Sequence, residues 1–163
     1  MITFEHFKHP YSFDPKYAKG IAYFSMEFAI HQPLKTYAGG LGYLAGSHIR
    51  SAFQLNQNMI GIGILWKYGY YDQTRKGDQT MDVLFQEKNY GFLKETNLKF
   101  EISINNSPVK VTAYYLPRNI FNTAPLFFLS TDLPENDYLA KTICHKFKKI
   151  DKIKIKKDQG VLY

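Results

Sequence analysis

The stretch "TYAGGLGYLAGSHIRSAF", residues 36–53, decides the fold because it joins a glycine cluster to a helical pattern. Apolar residues recur after the glycines at spacings of three and four, as on a helix with one buried face. This apolar stripe comprises Leu44, Ala45, His48, Ile49, Ala52, Phe53 and Leu55. The preceding run "GIAYFSMEFAI", residues 20–30, is almost continuously apolar and predicts a strand buried on both faces. The predicted order is therefore strand, glycine loop and helix.

Three downstream segments extend this unit into a sheet. A parallel strand, reached through the helix, is predicted within residues 58–73, where Gly61 and Gly63 indicate that another group approaches the backbone closely. Period-two runs around a polar turn predict an antiparallel hairpin over residues 98–117, and residues 124–136 contain a further buried strand. These patterns predict an α/β fold with a mostly parallel sheet and one antiparallel hairpin.

Composition and charge indicate a folded chain with a distinct basic tail. Hydrophobic residues make up 45% of the 163 residues and charged residues 21%, which is typical of a globular domain. The formal net charge is +7, but seven lysines and two aspartates lie within residues 146–158, which leaves +2 for the rest. We therefore divide the chain into residues 1–145 and a lysine-rich tail, 146–163. The tail is expected to be solvated, and nucleic-acid binding through it is the weaker alternative.

The single cysteine, Cys144, excludes a disulfide and a cysteine-based zinc site within one chain, and we predict no metal site. No apolar run approaches the roughly 18 residues that a membrane span needs, and the amino terminus lacks a signal-peptide pattern. The expectation is a cytoplasmic protein without membrane contact.

The glycine loop supports two interpretations on physical grounds. The amino end of a helix presents free backbone N–H groups and a partial positive charge, which together bind anions such as phosphate. A tight structural turn explains the glycines equally well. Their spacing, at Gly39, Gly40, Gly42 and Gly46, matches neither the dinucleotide fingerprint nor the nucleotide-triphosphate loop.

Several motifs in order resemble one family. The run "AYFSMEFAIHQPLKTYAGGLGYLAGSHIRSAFQLN" resembles the amino-terminal region of the α-glucan (glycogen, starch and maltodextrin) phosphorylases, of the short bacterial type. The later motifs "IGIGILWKYGYYDQ" and "STDLPEN" are similar to that family's next strand and to a later turn. The resemblance covers residues 20–136. It implies a partial Rossmann-like domain, the amino-terminal domain of the GT-B fold.

The resemblance also implies a reaction and a site. Members of this family are glycosyltransferases that use inorganic phosphate to release glucose 1-phosphate from an α-1,4-glucan, with pyridoxal phosphate as cofactor. Carried over by position, Gly39, Gly40, Leu41 and Gly42 would line the catalytic cleft, with the amides near Gly40 and Leu41 facing substrate phosphate and glucosyl unit. In this alignment, Glu27 lies near the cofactor side of the cleft. A structural role, as a carboxylate that caps its own loop, is at least as good an interpretation as a role in catalysis.

Other titratable residues receive mostly structural interpretations. His48 lies on the apolar stripe and is predicted to be a hydrogen-bonded core histidine. For His31, loop packing and substrate contact are equally good interpretations. Asp72 and Asp132 are single carboxylates in predicted turns, with no positioned partner visible, so we predict that they stabilise these turns.

The chain departs from the family pattern after about His145, and the cofactor lysine of the family, which lies in the carboxyl-terminal domain, has no counterpart in this sequence. We therefore expect a truncated product or one half of a split enzyme, inactive alone. A complementing carboxyl-terminal chain or a homo-oligomer would be its partner.

Two other functions compete with this interpretation. A sugar-nucleotide glucosyltransferase of the glycogen or starch synthase kind would need lysine before the glycines and aspartate after them, where this chain has Tyr37, Ala38 and Tyr43. A noncatalytic glucan-binding fragment would use the many tyrosines as stacking surfaces.

Overall fold

A parallel pair of strands joined through a helix forms one side of a five-stranded sheet. The computed structural model describes residues 18–69 and 72–145. The elements, in chain order, are β1 (Ile21–Phe24), α1 (Gly40–Gln54), β2 (Met59–Ile64), β3 (Asp72–Arg75), β4 (Met81–Leu84), β5 (Lys94–Ile104), β6 (Ser107–Leu116), α2 (Arg118–Phe121), β7 (Leu126–Ser130) and α3 (Tyr138–Thr142). The predictions about the lysine-rich tail, residues 146–163, lie outside the described residues.

The predicted strand–helix–strand unit is confirmed. Strand β1 pairs in parallel with β2, and β2 pairs in parallel with β7. However, the prediction that residues 20–30 form one doubly buried strand is wrong. Strand β1 ends at Phe24 and lies at the edge of the sheet, where Phe24 is 70% exposed. The buried apolar groups of this run, Phe28 and Ile30, belong instead to the loop that follows the strand.

The other half of the sheet is antiparallel. Strand β6 pairs with β7 on one side and with β5 on the other, in the order β1-β2-β7-β6-β5. The predicted hairpin is confirmed, and its turn residues Asn105 and Asn106 have the positive φ angles that a two-residue hairpin turn requires. Two of the four pairings in this described sheet are thus antiparallel, so the fold is α/β with a mixed, rather than mostly parallel, sheet. A small second sheet of β3 and β4 was not predicted, because its strands have only four residues each and β3, DQTR, is entirely polar.

The main core fills the space between α1 and one face of the sheet. Phe28, Leu34, Ile49, Leu126 and Phe128 are almost completely buried there. A smaller cluster on the other face contains Ala113, Tyr115 and Phe127.

The buried line of α1 consists mainly of small residues, namely Gly42, Ala45, Gly46, Ile49 and Ala52. Leu44 and Leu55 were predicted on the buried stripe, but they are 67% and 45% exposed. A helix that packs through glycine and alanine lies close to its neighbours and turns its larger side chains outward. None of the helices in the described part is long and apolar enough to cross a membrane.

Candidate functional site

The loop between β1 and α1 is held in place by Glu27. The Oε2 atom of this residue accepts hydrogen bonds from the backbone N–H groups of Ala38, at 2.9 Å, and Gly39, at 3.2 Å. The Ser25 hydroxyl donates to the Glu27 carbonyl at 2.8 Å, which fixes the start of the same loop. Glu27 therefore organises the glycine segment as a structural carboxylate, and a direct role toward a ligand stays a prediction.

Removal of this carboxylate should loosen the loop without unfolding the domain. In Glu27→Ala, both amides lose their acceptor, so we expect the Ala38 and Gly39 N–H groups to exchange with deuterium at least about tenfold faster. Glu27→Gln is the matched control, because its side-chain oxygen can still accept from both amides. Unchanged exchange in Glu27→Ala would contradict the role of Glu27 in organising the loop.

Helix α1 begins at Gly40, immediately after the two amides that Glu27 holds. Gly39 is its N-cap residue, no side chain caps the helix, and the first turn contains no acidic residue. Within the described residues, the amides of Gly40 and Leu41 have no hydrogen-bond acceptor. A Cβ added at Gly39 or Gly40 would meet nothing within 4 Å, so the backbone faces open space. This geometry leaves free donors at the positive end of the helix dipole, where an anion could approach them.

The next two glycines serve packing. A Cβ at Gly42 would lie 2.5 Å from the Tyr37 Cβ and 3.0 Å from Glu27 Oε2. At Gly46 it would lie 2.2 Å from the carbonyl oxygen of Ala29. The loop thus divides into an open pair, Gly39 and Gly40, and a packed pair, Gly42 and Gly46. Both interpretations of the glycine loop apply, each to a different pair.

Two tyrosines flank the open pair. The rings of Tyr37 and Tyr43 form an edge-to-face pair with centroids 5.5 Å apart, and Tyr43 is 62% exposed. Burial, together with the neighbouring Tyr43, raises the pKa of Tyr37, so its hydroxyl is neutral at physiological pH. The exposed phenol offers an apolar face and a hydrogen-bonding hydroxyl beside the free amides.

Neither of the two histidines near the loop, His31 and His48, has an evident catalytic role. His31 is exposed and stacks on Phe121 with ring centroids 4.6 Å apart, which corresponds to the loop-packing interpretation. The prediction of His48 as a core histidine is wrong. It is exposed and contacts Tyr23 at 4.8 Å between centroids, because it lies beside the buried line of α1 and not on it.

A second polar cluster, which the sequence did not indicate, lies where β2 and β7 end. Lys67 follows β2 and Asp132 follows β7, and Lys67 Nζ lies 2.7 Å from Asp132 Oδ2. His145 Nε2, which is buried without a hydrogen-bond partner among the described residues, lies 3.7 Å from Asp132 Oδ1. Because the carboxyl ends of neighbouring parallel strands meet at one sheet edge, the two strand assignments could have indicated this pair.

The charges of this cluster stabilise one another. Burial alone would raise the pKa of Asp132, but the hydrogen bond and charge of Lys67, with a smaller contribution from His145, lower it. The same hydrogen bond, from Lys67 to Asp132, raises the pKa of Lys67. Both aspartates were predicted to stabilise turns, because no positioned partner was visible in the sequence. The structure instead gives each carboxylate a lysine partner: Asp132 pairs with Lys67, and Asp72, which begins β3, pairs with Lys88.

A cavity of about 330 Å³ lies beside the cluster, within the usual range for small-molecule sites. Lysines and carboxylates both line it, including Lys67, Lys88, Glu87 and Asp132. Tyr90 forms another part of the wall, and burial raises its pKa to about 12. The mixture of both charges makes this cavity a poor match for a phosphate group alone.

The two lysines of this cavity do not fit the cofactor, and no metal site is found among the described residues. A pyridoxal phosphate imine requires a lysine that can lose its proton, whereas both lysines of the cavity are ion-paired with carboxylates. In the described part of the chain, no three histidine, cysteine, aspartate or glutamate side chains come together to hold a metal.

Comparisons with known proteins agree with the resemblance found in the sequence, although no family model matches the chain. The chain is 57% identical over 127 residues to an uncharacterized protein of Methanocaldococcus jannaschii, which covers 78% of this chain and 24% of that protein. It is 34% identical over 138 residues to the maltodextrin phosphorylase of Thermococcus litoralis, covering 80% of this chain and 16% of the relative. Identity to the glycogen phosphorylase of Mycobacterium tuberculosis is 32% over 130 residues, 73% of this chain and 14% of the relative.

These relatives are much longer than the chain, which spans only 14–24% of their length. The matched part nevertheless includes most of the chain, and the relatives from Thermococcus litoralis and Mycobacterium tuberculosis are both phosphorylases. Over most of its length, the chain is therefore similar to one segment of proteins named maltodextrin or glycogen phosphorylase.

Proposed function

We propose that the loop between β1 and α1 forms one wall of the catalytic cleft of an α-glucan phosphorylase. In that cleft, inorganic phosphate would release glucose 1-phosphate from a glucan such as glycogen or maltodextrin. The observation that carries the proposal is the arrangement around Gly39 and Gly40. The Glu27 carboxylate holds the amides of Ala38 and Gly39, and the space beside Gly39 and Gly40 is open. The amides of Gly40 and Leu41 have no acceptor among the described residues.

The role of this wall is to bind and orient charge. The N–H groups of Gly40 and Leu41, at the positive end of α1, would donate to an oxygen of the substrate phosphate. Because Glu27 fixes the loop in advance, little reorganisation would be needed when the phosphate binds. The exposed faces of Leu41, at 52%, and Tyr43, at 62%, would contact the glucosyl unit and reduce its exposure to water.

The proposal assigns no proton transfer to the described residues. In a complete phosphorylase, the acid–base chemistry would be supplied by the phosphate group of bound pyridoxal phosphate. Lys67 and Lys88, the two lysines of the cavity, do not fit its imine, so cofactor binding would fall to another part of a complete phosphorylase. That part would come from a complementing chain or a longer polypeptide.

A chimaera tests this function in a complete enzyme. Residues 20–136 of this chain would replace the corresponding segment of the Thermococcus litoralis maltodextrin phosphorylase. We expect measurable release of glucose 1-phosphate from maltodextrin and phosphate. Gly40→Pro in this chimaera removes one amide at a position where proline suits the helix, and we expect the rate to fall roughly tenfold.

Two controls accompany the chimaera. Gly77→Ala adds a methyl group where nothing lies within 4 Å and should leave the rate unchanged. Cofactor content, measured by absorbance, distinguishes a lost reaction from lost assembly. A folded, cofactor-loaded chimaera without activity, or one that Gly40→Pro leaves unaffected, would contradict the proposal. The 163-residue chain alone, supplied with pyridoxal phosphate, is expected to release no glucose 1-phosphate.

A further inference from the structure

The cavity of about 330 Å³ beside Lys67 and Asp132 plays no part in the function proposed for the loop between β1 and α1. It lies where β2 and β7 end, which is the usual place for ligands in an open α/β sheet. Residues 87–95 line its other side, and its volume suits a small organic molecule. A ligand in this cavity would contact both the sheet and the segment that leads into β5.

One wall of the cavity is suited to a cationic group. None of the ion pairs in the described part of the chain includes Glu95, which lines this wall. Tyr114 lies opposite Glu95 in the pairing of β5 with β6 and lines the cavity beside it. Burial raises the pKa of Tyr114, and the charges of Glu95 and Asp132 raise it further, so its hydroxyl is neutral near pH 7. This wall therefore offers a carboxylate and a neutral hydroxyl to a positive charge.

A second wall offers hydrogen-bond donors. Lys88, whose side chain is 14% exposed, pairs with Asp72, and the three N–H donors of an ammonium group leave two for other acceptors. Asn89 and Gly91 also line the cavity, and within residues 18–69 and 72–145 their backbone N–H groups have no acceptor. Charged and neutral N–H donors in one wall suit the two oxygens of a carboxylate.

Apolar groups form the rest of the cavity. Leu65 and Leu93 line it together with Tyr90, which is buried. The hydroxyl of Tyr90 accepts a hydrogen bond from the Lys35 N–H at 3.1 Å, and this contact fixes the position of the ring. An aliphatic group of a ligand would be removed from water against these surfaces, which is favourable.

A ligand with a single charge would use this cavity poorly. An anion would place its charge near Glu87, Glu95 and Asp132, whereas a cation would leave the donors of the second wall without an acceptor. A zwitterion satisfies both walls and leaves the net charge of the cavity unchanged. The ion pairs that the two lysines of the cavity form can stay in place when it binds.

We propose that this cavity binds a free α-amino acid with an aliphatic side chain. The ammonium group of the ligand donates to Glu95 and to the hydroxyl oxygen of Tyr114. The carboxylate of the ligand accepts from Lys88 and from the free backbone N–H groups that follow it. The aliphatic side chain packs against Leu65 and Leu93. This site is independent of the proposed glucan cleft, because none of these residues belongs to the loop between β1 and α1.

Isothermal titration calorimetry on the full 163-residue chain tests the site. The probes are L-valine and L-leucine. Each is compared with an analogue that lacks the ammonium group, isovalerate or isocaproate, and with one that lacks the carboxylate, isobutylamine or isopentylamine. We expect at least one of the two amino acids to bind, and to bind at least about tenfold more tightly than either of its analogues.

Glu95→Gln tests the wall that receives the ammonium group. This variant keeps the size of the side chain and breaks no ion pair of the described residues, so the fold should be retained. We expect the affinity for the amino acid to fall about tenfold, while the affinity for the analogue without an ammonium group stays the same. Glu101→Gln is the matched control, because it removes the same charge from β5 at a position outside the cavity.

Lys88→Gln tests the wall that receives the carboxylate. The amino acid and its carboxylate analogue should both lose about tenfold in affinity, whereas the amine analogue should not. Because Asp72 loses its partner in this variant, circular dichroism checks that it is folded. If it does not fold, the comparison of the amino acid with its amine analogue on the wild-type chain measures the same contribution.

Three results would overturn the proposal. The first is a folded wild-type chain that binds neither amino acid. The second is an analogue with one charge that binds as tightly as the amino acid. The third is a loss of affinity in Glu95→Gln no larger than in Glu101→Gln, since binding would then respond at most to the overall charge of the chain and not to the cavity.

Discussion

Replacement of Gly46 by alanine is expected to destabilise the chain by about 3 kcal/mol or to prevent folding. The added Cβ would lie 2.2 Å from the carbonyl oxygen of Ala29 and 2.8 Å from its carbonyl carbon. These are backbone atoms, and the Ala29 N–H is itself fixed by a 2.9 Å hydrogen bond to the Gly42 carbonyl. Relief of the contact requires α1 to move away from the loop, which separates Ile49 from the core. Urea unfolding followed by circular dichroism measures the loss.

Two other glycines calibrate this effect. A Cβ at Gly61 would lie 2.1 Å from Leu126 Cδ2, the end of a side chain that can rotate, so Gly61→Ala should cost about 1–2 kcal/mol. Gly77→Ala meets nothing within 4 Å and should change stability by less than about 0.5 kcal/mol. If Gly46→Ala were as stable as Gly77→Ala, the close approach of α1 to Ala29 would be wrong.

The part of the fold that the sequence predicts well is local. Three- and four-residue spacing predicts α1, and the run around Gly61 and Gly63 predicts β2, because periodicity is set by neighbours in the chain. The hairpin can also be predicted from the sequence, because Asn105 and Asn106 tolerate positive φ angles. In each case, the information lies within about 20 residues of the element it specifies.

What the sequence did not predict depends on distant partners. Whether Phe24 is buried depends on the position of β1 at the sheet edge, and periodicity carries no such information. The orientation of α1 follows from the approach of Gly46 to Ala29, which turns Leu44 and His48 outward although both fit a helical stripe. The partners Lys67 and Asp132 are 65 residues apart and meet only because β2 and β7 are neighbours.

The candidate site shows the same division. The glycine spacing indicates an unusual backbone conformation or a close packing contact. Only the structure separates Gly39 and Gly40, which face open space, from Gly42 and Gly46, which are packed. Substitution at the first pair therefore tests ligand binding, whereas substitution at the second pair tests stability. A single explanation for all four glycines would confuse the two effects.

Replacement of Asp132 by alanine is expected to cost about 2 kcal/mol of stability at neutral pH. The carboxylate joins three segments, because Lys67 follows β2, Asp132 follows β7 and His145 follows α3. Side-chain exposures of 23% for Lys67 and 28% for Asp132 place the pair between an exposed and a buried ion pair. Of its described carboxylate partners, Lys67 would retain Glu87, at 3.6 Å and 65% exposed. Asp132→Asn is the control, because asparagine has nearly the size of aspartate but no charge. Urea unfolding measures the free energy of unfolding of both variants.

The stabilisation by this pair should depend on pH in a defined way. Folding lowers the pKa of Asp132, so its contribution is present above the unfolded value of about 3.9 and is lost as the pH falls through the folded value. Folding raises the pKa of Lys67, so that contribution is present below about 10.4 and is lost as the pH rises through the folded value. The difference between the wild-type chain and Asp132→Asn should therefore be largest between about pH 4 and 10 and shrink on both sides. A difference that stays constant into acid and alkaline solution would show that the carboxylate acts by packing and not by charge.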